Sequence, residues 1–230
     1  MKTIGLIGGM SWESTVTYYT EINQLVSQKL GALHSAKILL SSVDFEEIEK
    51  CQSANEWEKS GELLLSEALK LEQAGADFLV ICTNTMHKVY QQINEQTKIP
   101  LIHIADATIS ELQKNKITNV GLLGTKYTME QDFYKQRIID ADIEVVIPEA
   151  NEITTVNDII FNELVLGEVK HESKEAYLRI IENLVSEGVE GIILGCTEIG
   201  LLITQSDVSV PVFDTTLIHS KKAVEYALAQ

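Results

Sequence analysis

Ile4-Gly-Leu-Ile-Gly8 returns later in the chain as Val120-Gly-Leu-Leu-Gly124. Downstream, Gln73-Ala-Gly75-Ala-Asp77 returns as Ser186-Glu-Gly188-Val-Glu190, and Ile99-Pro100-Leu-Ile102 as Val210-Pro211-Val-Phe213. The offsets are 116, 113 and 111 residues, a drift that fits one duplicated unit with small loop deletions. Such a duplication predicts two half-molecules facing each other across a cleft. At the 113 offset, Thr83, just past the apolar run Phe78 to Cys82, falls opposite Cys196, just past Gly191 to Gly195. A rival register pairs Cys82-Thr83 with Cys196-Thr197, and the glycines at 75 and 188 argue against it.

Around these landmarks, short β-branched runs alternate with longer segments of helical period, the βαβ signature of a parallel sheet. Strands are predicted near residues 3–8, 36–42, 77–82, 101–104, 118–123, 142–147, 190–195 and 211–213. Helices are predicted near 13–29, 59–74, 86–95, 107–115, 129–139, 152–165, 173–187 and 216–228. The fold class is α/β, with two pseudo-symmetric parallel-sheet, Rossmann-like domains. The closing segment Pro211 to Ala229 matches Pro100 to Leu112, so each such segment is expected to close the other lobe. That places residues 1–98 plus 208–230 in the N-terminal lobe and 99–207 in the C-terminal lobe.

Composition narrows the function classes. The chain has 230 residues, 45% of them apolar, enough for a full core in each of two lobes. Its apolar runs fall short of the roughly 18 residues a membrane span needs. Met1-Lys2-Thr3 enters a strand with no signal-like stretch, so the expected location is cytoplasmic. Three cysteines at wide spacing favour neither a disulfide framework nor a zinc site. With 34 acidic against 18 basic residues the net charge is −16, which repels a phosphate backbone. The expected partners are a small-molecule substrate and a second copy of the chain as a homodimer, with neither nucleic acid nor membrane.

Ligands of open parallel sheets sit beyond the carboxyl ends of the strands, and four stretches lie there. Gly8-Gly9-Met10-Ser11-Trp12-Glu13-Ser14-Thr15 is a glycine turn opening a helix; it lacks the lysine of a phosphate loop and the third glycine of a dinucleotide fingerprint. Gly124-Thr125-Lys126-Tyr127-Thr128 is its counterpart, whose hydroxyls either bond a carboxylate or cap the helix. The other two are Cys82-Thr83-Asn84-Thr85-Met86-His87 and Gly195-Cys196-Thr197-Glu198. A cysteine between a buried strand and a helix start is expected to have a lowered thiol pKa and to act as a base. Cys82 lies one residue earlier in its strand, points to the opposite face and reads as structural, as does Cys51.

On these motifs the chain resembles the cofactor-independent aspartate/glutamate racemase family over essentially its whole length. The most specific pieces are Ile4-Gly-Leu-Ile-Gly-Gly-Met10, Asn84-Thr85, the Gly-Leu-Leu-Gly-Thr125 turn and Gly195-Cys196-Thr197-Glu198. The resemblance implies two cysteines flanking the substrate α-carbon, one removing its proton and the other returning one to the opposite face, without pyridoxal phosphate or metal. It further implies that Met10, Ser14, Asn84, Thr85, Thr125, Thr128 and Thr197 surround the bound amino acid. Glu198 closes the second motif and is grouped with them. Lys170 lies near where the family places a basic residue for the side-chain carboxylate, and Gln52 is a neutral substitute for an arginine after the second strand. His87 and His103 either tune the thiol or serve the fold, and Trp12 and Trp57 either shut the cleft or pack.

One position departs from the family. Its first cysteine is Thr83 here, whose hydroxyl is far too weak an acid to form an alkoxide near neutral pH. The implied enzyme is a racemase for L-aspartate or L-glutamate, with Cys196 as base and Thr83 on the opposite face. The alternatives are a relative of the maleate isomerase or decarboxylase type acting on another dicarboxylate, and a catalytically weak amino-acid-binding or regulatory protein.

Overall fold

Two four-stranded parallel sheets carry the chain, and they share one strand order. The computed structural model describes residues 1–229. In the first sheet, β1 (Ile4–Gly8), β2 (Ile38–Ser42), β3 (Phe78–Ile81) and β4 (Leu101–Ile102) lie in the order β2-β1-β3-β4. In the second, β5 (Asn119–Gly124), β6 (Glu144–Val146), β7 (Ile192–Gly195) and β8 (Val212–Asp214) lie in the order β6-β5-β7-β8. The helices are α1 (Trp12–Leu30), α2 (Phe45–Ser53), α3 (Trp57–Gln73), α4 (Tyr90–Asn94), α5 (Ile104–Lys114), α6 (Lys126–Glu130), α7 (Asp132–Ile139), α8 (Ala150–Asn162), α9 (His171–Ser186) and α10 (Thr215–Leu228). Among the described residues, no helix is long and apolar enough to cross a membrane.

The ladder register expresses the internal repeat directly. Ile7 pairs with Ile81 and Leu123 pairs with Leu194. Ile7 and Leu123 occupy the same place in the repeated glycine strand, so Ile81 corresponds to Leu194. One step on, Cys82 corresponds to Gly195, and Thr83 to Cys196.

Period-two alternation divides the first core into two. Leu79 and Ile81 face a cluster with Ile7, Ile48 of α2, Leu64, Ala68 and Leu71 of α3, and Met86. Phe78, Val80 and Cys82 face the other way, against Ile4, Leu6, Tyr18, Ile22 and Val26 of α1, and Ala223, Val224 and Ala227 of α10. Strands buried on both faces explain the uninterrupted apolar runs in the sequence. The second sheet repeats this pattern, with Leu122, Leu123, Ile192, Ile193 and Leu194 all buried.

Three differences from the sequence expectations have physical causes. No helix is expected between residues 42 and 59, yet Phe45–Ser53 is helical. Asp44 caps it by accepting from the Glu46 N–H at 3.1 Å, and Glu46 and Glu47 suit the positive end of the helix dipole. Residues 86–95 open as a 3-10 turn, Thr85–Val89, before becoming helical. The two compact units are Met1–Ile104 with the segment from His219 on, and Ala105–Ile218, later than the expected boundaries at 99 and 208. Backbone pairing is the reason: β4 bonds to β3 and β8 to β7, so each closing strand stays in its own sheet and only helical segments change unit.

Candidate active site

In each unit the strand order reverses between the two central strands, the place where open α/β sheets form a binding crevice. In the first unit these are β1 and β3. Gly9 follows β1 with φ +91, and a Cβ there would stand 2.3 Å from the Val43 carbonyl oxygen, so the turn requires glycine. The Gly9 N–H donates to Thr15 Oγ1 at 2.8 Å, and Ser11 caps α1 by accepting from the Ser14 N–H at 3.2 Å. Ser14 Oγ in turn donates to the Cys82 carbonyl at 2.8 Å, tying the start of α1 to the end of β3. From the other side, buried Gln52 donates to Met86 Sδ at 3.1 Å, and Met10 and Met86 share one core cluster. These contacts bring Met10, Ser14 and Gln52 to the segment that carries half-buried Thr83 and buried Asn84 and Thr85. Cys82 lies in the apolar core, where burial pushes its thiol far above the ordinary range.

The segment after Thr83 is held by a group of buried rings. His87 Nε2 accepts the Ile104 N–H at 3.2 Å, so its ring proton sits on Nδ1, which donates to the Thr83 carbonyl at 2.8 Å. His219 has the opposite tautomer. Its Nε2–H donates to the Ile102 carbonyl at 3.1 Å, leaving Nδ1 to accept from the Tyr18 hydroxyl at 2.8 Å. Burial, and then the nearby His87, push the His219 pKa down to about 3. The unfolded chain therefore binds a proton here below the ordinary value of 6.5 that the folded chain refuses. The contribution of His219 to stability is full above pH 6.5 and is lost as the pH falls toward 3, with a slope of about 1.4 kcal/mol per pH unit. We expect His219→Gln to remove that slope between pH 6.5 and 5, as urea unfolding at each pH will show; parallel pH dependences in parent and variant would contradict it.

In the second unit the corresponding strands are β5 and β7. Gly124 pairs with Gly195, and a Cβ on Gly195 would come within 2.9 Å of the Leu123 carbonyl oxygen and 3.2 Å of Thr128 Cγ2. Bare strand ends thus let Thr128 settle over them. Thr125 caps α6, its hydroxyl accepting from the Thr128 N–H at 3.3 Å with the two hydroxyls 3.2 Å apart. Beside them, Cys196 Sγ donates to Glu198 Oε2 at 3.0 Å, and Thr197 Oγ1 donates to the same oxygen at 2.7 Å. All three side chains are buried.

The expectation of a lowered thiol pKa at Cys196 is corrected here. Burial, the negative charge of Glu198 and the hydrogen bond to Glu198 hold this thiol well above its ordinary value. Past Glu198 the chain enters the short 3-10 turn Ile199–Leu201, too brief to supply a helix dipole that offsets these effects. Lys170 stands on the surface, with its ammonium 3.2 Å from Glu168 and 3.5 Å from Glu163. Sequence reasoning passed over Tyr177. The pKa of its buried phenol is raised by desolvation, and then by the charge that Cys196 carries as a thiolate and by Glu163 and Glu198, but its place on α9 carries no motif. Among the described residues, no group of three or more His, Cys, Asp or Glu is placed to hold a metal ion.

Comparison with known proteins places these residues in a wider group. Residues 7–223 match the family model described as Asp/Glu/Hydantoin racemase. The chain is similar to a candidate Asp/Glu racemase of Yersinia pestis, with 53% identity, 100% of both chains covered and a TM-score of 0.94. An aspartate racemase homologue of Pyrococcus horikoshii has 39% identity over 100% of both chains and a TM-score of 0.87. The broad specificity amino-acid racemase RacX of Bacillus subtilis is 23% identical over 239 residues, covering 98% of each sequence.

Proposed function

The chain belongs to the Asp/Glu/hydantoin racemase family, and from that premise we propose how it moves the α-proton of a free amino acid. The enzyme is an amino acid racemase. It acts on L-aspartate, L-glutamate or both, and the names of its relatives support an aspartate or glutamate substrate. Cys196 removes the α-proton of the L enantiomer, Glu198 accepts the thiol's own proton, and Thr83 serves the opposite face. The backbone and side chains of Met10, Asn84, Thr85, Thr125, Thr128 and Thr197 hold the amino acid, and Gln52 and Lys170 serve its side-chain carboxylate. Lys170 must exchange Glu163 and Glu168 for the substrate to do so.

The observation that carries this reading is the 3.0 Å hydrogen bond from buried Cys196 Sγ to Glu198 Oε2. A thiol that still holds its proton cannot take another. Transfer to Glu198 gives a thiolate beside a carboxylic acid, with no change in the total charge of the pair. The thiolate then takes the α-proton, and the electron pair left on Cα delocalises into the substrate carboxylate. Reprotonation by Cys196, once its proton has been swapped for one from solvent, returns the L enantiomer with exchange, whereas a proton from Thr83 yields the D enantiomer. Thr83 must take a proton from water as it gives one up, while Glu198 returns its proton to solvent, so no free alkoxide forms and crossing is the slower branch.

Incubation with L-aspartate and L-glutamate in heavy water tests the function. Deuterium is expected at Cα of the recovered L substrate faster than D product accumulates, measured by mass spectrometry and chiral chromatography. Absence of both exchange and D product with either amino acid would overturn the reading.

A further inference from the structure

We infer that His87 is a positioning residue that fixes the Thr83 peptide, and through it the hydroxyl that reprotonates the opposite face. The inference rests on the role proposed for Thr83. The His87 ring donates to the Thr83 carbonyl at 2.8 Å while its backbone N–H donates to the Asn84 carbonyl at 3.0 Å. The ring therefore grips the peptide on the C-terminal side of Thr83, and the backbone N–H grips the next one along. The grip is itself immobilised: Nε2 accepts the Ile104 N–H, and the ring packs against His103 at 4.7 Å and His219 at 5.7 Å between centroids. His103 is backed in turn by Tyr90 at 4.6 Å. Only 2% of His87 is exposed, so water does not compete for either ring nitrogen.

The internal repeat shows that this device belongs to one half alone. At the offset that makes Thr83 the counterpart of Cys196, His87 corresponds to Gly200. There the space a side chain needs is taken, since a Cβ on Gly200 would stand 2.5 Å from Asp214 Oδ2. The imidazole lock is present behind the threonine and missing behind the cysteine. A hydroxyl on a short, β-branched side chain cannot reach around an error in backbone position. Its proton transfer depends on placement, for which a displacement of about 1 Å costs on the order of 10²-fold.

Two substitutions divide the two ring bonds. In His87→Asn the amide nitrogen falls near the place of Nδ1, keeping the donor to Thr83 and losing the acceptor for Ile104. In His87→Gln the longer amide keeps an acceptor near the place of Nε2 and loses the donor to Thr83. Racemisation by His87→Gln is expected to fall at least about tenfold while L-substrate α-proton exchange, which uses Cys196, stays within about twofold. His87→Asn is expected to keep both rates within about threefold of the parent. Equal losses in the two variants, or exchange falling in step with racemisation, would show that His87 only supports the fold. Thr83→Val, run alongside, separates the readings. If it lowers racemisation and His87→Gln does not, the positioning role fails alone; if it leaves racemisation unchanged, the role of Thr83 fails and this inference with it. Nitrogen NMR of the unmodified protein gives a check that needs no variant: the His87 ring is expected as the neutral Nδ1–H tautomer, and an Nε2–H or doubly protonated ring would refute the lock.

Discussion

Cys196→Ala is expected to abolish α-proton exchange and racemisation together, lowering both by about 10²–10⁴-fold. Both reactions begin by taking the α-proton of the L enantiomer, and in the proposed mechanism no other group takes it. Cys82→Ala is the matching control. Its sulfur is buried in the apolar core with α1 and α10, so the loss appears as a modest drop in stability with activity nearly unchanged. Loss of activity in the Cys82 variant with Cys196→Ala still active would reverse the assignment. Glu198→Gln tests the activation step. Removing the negative neighbour lowers the Cys196 pKa, although burial, its largest cause, keeps it above the ordinary value. The variant is expected to exchange slowly near neutrality and faster as rising pH forms the thiolate directly, with ultraviolet thiolate absorbance reporting the titration. A thiol that titrates at the same or higher pH in the variant would mean that Glu198 does not govern it.

The legible features were those with a local pattern. Apolar runs such as Phe78 to Cys82 and Gly191 to Gly195 marked strands buried on both faces, and repeated glycines carried the duplication that the identical strand orders display. The α2 helix was legible in principle: Asp44 with Glu47 three residues on is a helix-start signal, although the predicted helices pass from 29 to 59 without one there. The place of each chain crossing was not legible, because Ile99-Pro100 and Val210-Pro211 mark the closing elements without saying that strand and helix part company after Ile104 and Ile218. Two features of the site depend on contacts without local spacing. The rings of Tyr18, His87, His103 and His219 meet only in the folded unit. The rise in the Cys196 pKa depends on burial, which the motif Gly-Cys-Thr-Glu does not encode.

Thr83→Cys is expected to raise racemisation by at least about tenfold in both directions. The ladder register makes Thr83 the counterpart of Cys196, so the substitution places a thiol at the equivalent point of the first sheet. A thiol is a far stronger acid than a hydroxyl, so it returns a proton to the carbanion more readily. Its thiolate is also a far better base for the D enantiomer than threonine. Proton transfer by a well-placed group is worth about 10²–10⁴-fold, and the lower expectation reflects a turn whose packing is set for threonine. Because enantiomers have an equilibrium constant of one, the two kcat/KM values must rise together, and the ratio of exchange to racemisation on the L substrate must fall. The decisive measurement is D product from L substrate and L product from D substrate, each compared with deuterium uptake. Unchanged or lower rates in a folded variant that still binds its ligand would mean that position 83 is not the second site of proton transfer.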